Sequence, residues 1–162
     1  MRKLRLTTFV LVLVACIGCD QAVKQAAGAL LGDGERIALL GDAIRFELVE
    51  NPGAFLSLGA SLPESLRSTL LLGLVPVLLG VVLFGFVWRA QASRAELVAV
   101  ALVIGGGLGN WIDRLTHGGA VTDFVSIGLG PVRTGIFNVA DVAVMAGVGV
   151  LLTAARAAPR AR

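Results

Sequence analysis

The chain has 162 residues, of which 56% are hydrophobic and only 15% charged, with a formal net charge of +3. A soluble domain of this length is roughly 45–50% apolar and about 25% charged, so the composition excludes an ordinary water-soluble domain and points to an integral membrane protein. No basic patch is interleaved with aromatics, which leaves nucleic acid without support as a partner, and one membrane domain over residues 1–162 is expected.

Residues 1–31 open on Met1-Arg2-Lys3-Leu4-Arg5 and turn apolar from Leu6 to Cys19. A basic start with a short apolar run also describes a secretory signal peptide, and Leu13-Val14-Ala15-Cys16 resembles a lipoprotein lipobox. The apolar pattern resumes past Asp20, at Ala22, Val23, Ala26, Ala27, Ala29, Leu30 and Leu31, and three more hydrophobic segments follow. An uncleaved transmembrane helix over 6–28 is therefore predicted. Cys16 and Cys19 form a C-x-x-C inside it. With no second Cys pair and no His cluster, both read as small buried apolar residues.

The segment 29–65 collects acids: Asp33, Glu35, Asp42, Glu47, Glu50 and Glu64. Ile44-Arg45-Phe46-Glu47-Leu48-Val49 alternates apolar with polar until its last step, a strand signal. Asn51-Pro52-Gly53 breaks it. Ser61-Leu62-Pro63-Glu64 reads as a helix start with Ser61 as N-cap. A second span is predicted over 66–88, and Pro76 inside it is tolerable in a membrane helix.

A short polar turn (89–96) leads to a third span over 95–113, rich in glycine at 105, 106, 107 and 109. Those glycines read as close helix packing; a phosphate-cradling loop would need a preceding strand. A second loop, 114–135, carries Gly118-Gly119 and a strand-like stretch from Ala120 to Ile127. The fourth span is predicted over 136–156. The expected fold is therefore an all-α membrane protein of four transmembrane helices, with a small extracytoplasmic β-rich region formed by the loops 29–65 and 114–135.

The N-terminus, the 89–96 turn and the C-terminal tail hold Arg2, Lys3, Arg5, Arg89, Arg94, Arg156, Arg160 and Arg162, with Glu96 as their only acid. By the positive-inside rule both termini are cytoplasmic and the acidic loops face outward.

Counting from these charges fixes a depth. Asp20 lies 15 residues from Arg5, Asn110 lies 16 from Arg94, and Asp141 lies 15 from Arg156. At about 1.5 Å per residue, each sits roughly 22–24 Å above the cytoplasmic edge, near the outer boundary of a ~30 Å hydrocarbon core. Asp113 and Asn138 share that level, and Asp123 folds back onto it.

Each polar residue has a plain reading. Asp20 and Lys24, spaced i, i+4, suit a helix ion pair. Asp113-Arg114 suits structural anchoring at a helix end. Asn110 and Asn138 suit hydrogen-bonding posts, since buried amides need partners. His117, the only histidine, reads as a loop residue rather than a zinc ligand, and no metal or cofactor is expected. Asp141 resists such a reading: it lies in a helix interior with no basic residue within a turn. Asp123 emerges between Val121-Thr122 and Phe124-Val125. Two carboxylates meeting in an apolar setting cannot both ionise easily, so they can act as an aspartic-protease pair. An ion-pathway or binding role is not separated from this by spacing alone.

Five motifs in this order, Asp20-Gln21-x-x-Lys24, Glu50-Asn51-Pro52-Gly53-Ala54-Phe55, Gly109-Asn110-Trp111-Ile112-Asp113-Arg114, Val121-Thr122-Asp123-Phe124 and Phe137-Asn138-Val139-Ala140-Asp141, resemble those of the lipoprotein signal peptidase (signal peptidase II) family. The resemblance implies a membrane aspartic endopeptidase that cuts a diacylglyceryl-modified prolipoprotein just before its lipid-bearing Cys. It implies Asp123 and Asp141 as the catalytic dyad, and Asp20, Lys24, Asn51, Gly53, Asn110, Asp113, Arg114 and Asn138 as residues that shape the site or contact substrate. It further implies contact with membrane lipid and inhibition by globomycin-type peptides, and a monomer is expected. In the first loop Phe55 comes one position earlier than the family's usual Asn-x-Gly-Ala-Ala-Phe, and Val-Thr-Asp-Phe replaces the commoner Val-Val/Ile-Asp-Phe. The alternative from another class is a non-enzymatic four-helix membrane protein, a transporter or a lipoprotein-like anchor; a transporter would be expected to show internal repeats, and none is seen.

Overall fold

Helix α4 (Arg94–Thr116) is the pillar against which the other long helices pack. Its start is fixed by a capping box: Ser93 Oγ accepts from Glu96 N at 3.2 Å, and Glu96 Oε2 accepts from Ser93 N at 2.7 Å. Two of the donors that a helix start leaves unpaired are thereby satisfied. The computed structural model describes residues 2–32, 34–54, 58–87 and 92–157. Phe55, Leu56, Arg89 and the tail arginines Arg160 and Arg162 lie outside the described residues, as do the side chains of Arg2, Lys3 and Arg156.

The glycines of α4 set how close its neighbours come. A Cβ at Gly105 would stand 2.9 Å from Cys16 Cβ on α1 (Arg2–Leu30). At Gly106 it would run into the carbonyl oxygen of Ala140 on α5 (Val139–Ala157). At Gly107 it would stand 2.8 Å from Leu79, and at Gly109 2.8 Å from Asp20 Oδ2. Three different helices thus approach α4 on different faces at these glycines, the close approach expected of small residues in a membrane bundle. Cys16 is buried in that contact, whereas Cys19 is exposed, contrary to the expectation that both are buried. Three residues apart, they are offset by about 60° around α1, and Cys16 is the one that meets α4 at Gly105.

The second span begins at Glu64 and runs through α2 (Glu64–Ser68), a π-helical turn at Thr69–Leu74 and α3 (Val75–Val87). Its cap is Pro63, with no side-chain capping bond, and not Ser61. The residue before a proline is pushed out of the helical region, so Leu62 cannot join the helix and the start moves past Pro63. Pro76 has no N–H to give the carbonyl four residues back. That carbonyl belongs to Leu72, and Trp111 Nε1 donates to it at 3.1 Å.

Among the described residues, three helical stretches, Leu4–Leu30, Glu64–Val87 and Arg94–Thr116, are long and apolar enough to cross a membrane, and Val139–Ala154 is a shorter apolar helix. Four antiparallel strands join them: β1 (Arg36–Leu39), β2 (Ile44–Asn51), β3 (Val121–Leu129) and β4 (Val132–Arg133), in the order β1-β2-β3-β4. The first pair comes from the α1–α2 connection and the second from the α4–α5 connection. The sheet is therefore built by both predicted loops, where α1 and α4 end and α5 begins. Ala27, Leu31 and Phe124, with Phe46, Leu48, Val125 and Val139 around them, seat it on the end of α1. The β2–β3 register pairs Ile44 with Ile127 and Phe46 with Val125, shifts, and then pairs Val49 with Asp123 and Asn51 with Val121. Such an irregularity re-aims side chains next to it; here it lies just before Asn51.

Candidate active site

Asp141 does not lie in a helix interior. It occupies the third position of α5, in the first turn. Asn138 caps that turn: its Oδ1 accepts from Asp141 N at 3.0 Å, and its N donates to Asp141 Oδ2 at 3.3 Å. This is a capping box with Asp in place of Glu. The N–H of Ala140 is satisfied from another helix, by Asp20 Oδ1 of α1 at 2.9 Å. The helix therefore starts at Val139 rather than 136, and residues 134–137 run beside β3 instead, with Phe137 N donating to Val125 O at 2.9 Å.

Asp123 projects from β3 and is buried, as is Asp141. Its Oδ1 accepts from Asn138 Nδ2 at 2.6 Å, and its Oδ2 accepts from Asn51 Nδ2 at 2.8 Å. Asn138 therefore touches both carboxylates. Asp141 Oδ1 accepts from Asn110 Nδ2 at 2.9 Å. Asn110 Oδ1 receives Lys24 Nζ and Asn138 Nδ2, each at 3.0 Å. Two donors on that oxygen fix which way the amide faces, so its own NH2 turns to Asp141.

Below the carboxylates lies a buried charge cluster. Lys24 Nζ sits 2.7 Å from Asp20 Oδ2 and 2.8 Å from Asp113 Oδ2. The i, i+4 pair expected from the sequence is present, but it is buried and shared with a second helix. Gln21 Nε2 donates to Asp113 Oδ1 at 2.7 Å, and Thr122 N donates to Asp113 Oδ2 at 3.2 Å, tying the end of α4 to β3. Asp113 and Arg114, adjacent in sequence, take different partners. Arg114 donates to Gly53 O at 2.8 Å and Asn110 O at 3.1 Å, and its Nε is buried without a hydrogen-bond partner. Gly53 N in turn donates to Asn51 Oδ1 at 2.8 Å. All the residues singled out in the sequence thus belong to one hydrogen-bonded network.

Sequence reasoning passed over Gln21, Thr122 and Trp111. Gln21 and Trp111 stood inside quoted motifs, and an amide or indole facing an apolar bundle needs a partner; that signal was available. Thr122 Oγ1 donates to Glu50 Oε1 at 3.0 Å, a cross-strand pair that only the register reveals. His117 ends α4, with its Nδ1 near Thr116 Oγ1 and Asp113 O.

Asp123 binds a proton more readily than an ordinary carboxylate. Burial pushes its carboxyl up to about 6; the amide of Asn51 opposes this, and the charge of Asp141 adds to it. A carboxylic acid that holds its proton to about pH 6, set beside a second buried carboxylate by Asn138, can donate a proton while its partner accepts one.

A family model described as signal peptidase (SPase) II matches residues 12–156. A lipoprotein signal peptidase of Leifsonia xyli subsp. xyli is 38% identical over 141 residues, covering 82% of this chain and 59% of that protein. One from Methylorubrum extorquens is 50% identical over 90 residues, covering 54% of this chain and 52% of its own length. The chain thus spans between half and three-fifths of the length of these two relatives. A solved structure described as a bacterial membrane enzyme superposes with a TM-score of 0.81 at 25% identity, covering 93% of this chain and 88% of that one.

Proposed function

The chain belongs to the signal peptidase II family, and we propose that it removes signal peptides from lipoprotein precursors by aspartyl-dyad hydrolysis. The observation that carries this reading is that one residue, Asn138, bonds two buried carboxylates, Asp123 through its side-chain amide and Asp141 through its backbone N–H. The substrate is a diacylglyceryl-modified prolipoprotein, cut before the lipid-bearing Cys.

In the proposed reaction a water lies between the carboxylates. The ionised one takes a proton from that water as its oxygen attacks the scissile carbonyl carbon. The protonated one gives its proton to the carbonyl oxygen. When the tetrahedral intermediate collapses, the C–N bond breaks and the leaving amine of the Cys collects a proton from the dyad. The amides of Asn51, Asn110 and Asn138 hold the carboxylates in place; Lys24, itself held by Asp20 and Asp113, holds Asn110; Arg114 holds the Gly53 turn.

The whole chain acts as one peptidase domain with four spans, α5 being the fourth, and a monomer suffices because both aspartates come from one chain. Both termini lie in the cytoplasm and the sheet lies outside. The dyad is then at the outer boundary of the bilayer, where a substrate anchored by its signal helix and its lipid presents the scissile bond. Globomycin-type peptides are expected to occupy the same place. Incubating the purified protein with a diacylated precursor and weighing the products tests this. A new N-terminus at the lipidated Cys supports it. An uncut diacylated precursor returns the chain to a non-enzymatic role.

A further inference from the structure

The outer half of the sheet is two-faced. Side chains alternate along a strand, and directly paired residues share a face. Ile37 and Leu39 of β1 therefore lie on one face with their partners Phe46 and Ile44, with Val125 and Ile127 of β3, and with the Leu129–Val132 pair beyond. Arg36, Arg45 and Ser126 lie on the other face, as does Arg133, which pairs with Gly128.

The polar face is closed on itself. Asp42 pairs with Arg45, and Arg133 Nη1 donates to Asp42 O at 2.6 Å, binding the β1–β2 turn to β4. The Asp42 carboxyl is held below its usual range by its bond to Arg45. The apolar face is open. Leu129 is 80% exposed, Val132 77%, and Leu40 in the adjoining turn 78%, with Ile37, Leu39 and Ile127 also exposed. A patch of large apolar side chains at the tips of two clasped hairpins marks a contact with something apolar.

The depth of the sheet says what that is. Its inner end carries Asn51 and Asp123, which bond directly to the first turn of α5. On the proposed function, on which this argument rests, that level is the outer boundary of the bilayer. From Asp123 to Leu129 is six residues, about 20 Å of strand. A sheet standing upright would hold its apolar tip that far out in water. A sheet lying along the surface would put the same tip in the boundary between headgroups and acyl chains. We propose that the two hairpin tips rest in the outer membrane interface, with Leu39, Leu40, Ile127, Leu129 and Val132 facing lipid. Paired charges on the opposite face leave that face to water. The sheet then supports Asp123 from both ends, on α5 at one and on lipid at the other.

The test is spin-label accessibility in phosphatidylglycerol–phosphatidylethanolamine liposomes, using the full chain with Cys16→Ala and Cys19→Ala as background. Labels are placed singly at Leu40→Cys, Leu129→Cys, Arg36→Cys on the polar face, and Val81→Cys on α3. The expected result is that the Leu40 and Leu129 labels meet oxygen readily and a water-soluble nickel chelate about threefold less than Arg36 does, as for groups buried a few ångströms into an interface. Equal nickel access at Leu40, Leu129 and Arg36 overturns the proposal. Protection that arises only on adding a precursor also overturns it, because the occupant is then the substrate. So does protection that arises only on adding a second protein. The Val81 label separates the two readings: if it too meets nickel freely, the membrane-spanning reading has failed rather than the placement of the sheet alone.

Discussion

Asp20 Oδ1, on the first helix, accepts a hydrogen bond from the backbone N–H of Ala140 at 2.9 Å, one residue before Asp141. The same carboxylate holds Lys24 through its other oxygen. One buried side chain thus caps the helix that carries a proposed catalytic residue and balances the cation that orients Asn110. Removing the charge partner should be costly. Lys24→Met leaves Asp20 and Asp113 buried without a counter-charge and is expected to destabilise the protein by about 3–5 kcal/mol. Thermal unfolding in detergent checks this; an unchanged midpoint would contradict it.

Asn138 does two jobs that substitution can separate. Asn138→Ser keeps a capping oxygen for Asp141 N but removes the Nδ2 donor to Asp123. Ser and Asn are comparable N-caps, so the melting temperature should change little, while kcat should fall by about 10²-fold or more, as for loss of one preorganised donor. A variant that loses stability and keeps kcat would reverse the assignment.

The pH profile should report the dyad as a pair. Activity needs one proton held, so kcat/KM is expected to fall on the alkaline side with an apparent pKa near the value of about 6 assigned to Asp123. Asn51 Nδ2 favours the charged form of Asp123; Asn51→Ala should move the alkaline limb to higher pH. Stability carries the same sign. The folded carboxyl keeps its proton to about pH 6, whereas an unfolded one releases it near 3.8. The native state binds more protons in that window, so stability falls as pH rises through it. Asp123→Asn should remove that slope, as measured by denaturation at a series of pH values.

Gly106 stands where a Cβ would meet the Ala140 carbonyl and Val144. Gly106→Ala is expected to force α4 and α5 apart and cost about 1–3 kcal/mol, as overpacking does. Because Ala140 adjoins Asp141, kcat should drop with it. Gly80→Ala, where nothing lies within 4 Å, is the control and should leave kcat unchanged with no loss of stability.

The apolar helices, the strand at 44–49 and the gathering of the polar residues were legible in the sequence because each has a period or a count behind it. Apolar runs end at charges, and equal distances from those charges place Asp20, Asn110 and Asp141 together. What was not legible depended on contacts between distant segments. Ser61 fitted a capping pattern, but Pro63 moved the helix start. Asp141 looked like a helix interior because Phe137 is apolar; pairing of Phe137 with β3 shortens α5 and puts Asp141 in its first turn. The π turn before Pro76, and the use of Trp111 to satisfy Leu72, need two helices to be seen at once.

The measurement that tests the central claim most directly is cleavage of a diacylated precursor by wild-type protein, Asp123→Asn and Asp141→Asn, each shown to be folded by its melting curve. Asn keeps the size and the hydrogen bonds of Asp but can neither carry the charge nor pass the proton. The account expects wild type to cut and both variants to be inactive at wild-type-like stability. Near-normal cleavage by either folded variant would contradict the assignment of Asp123 and Asp141 as the dyad.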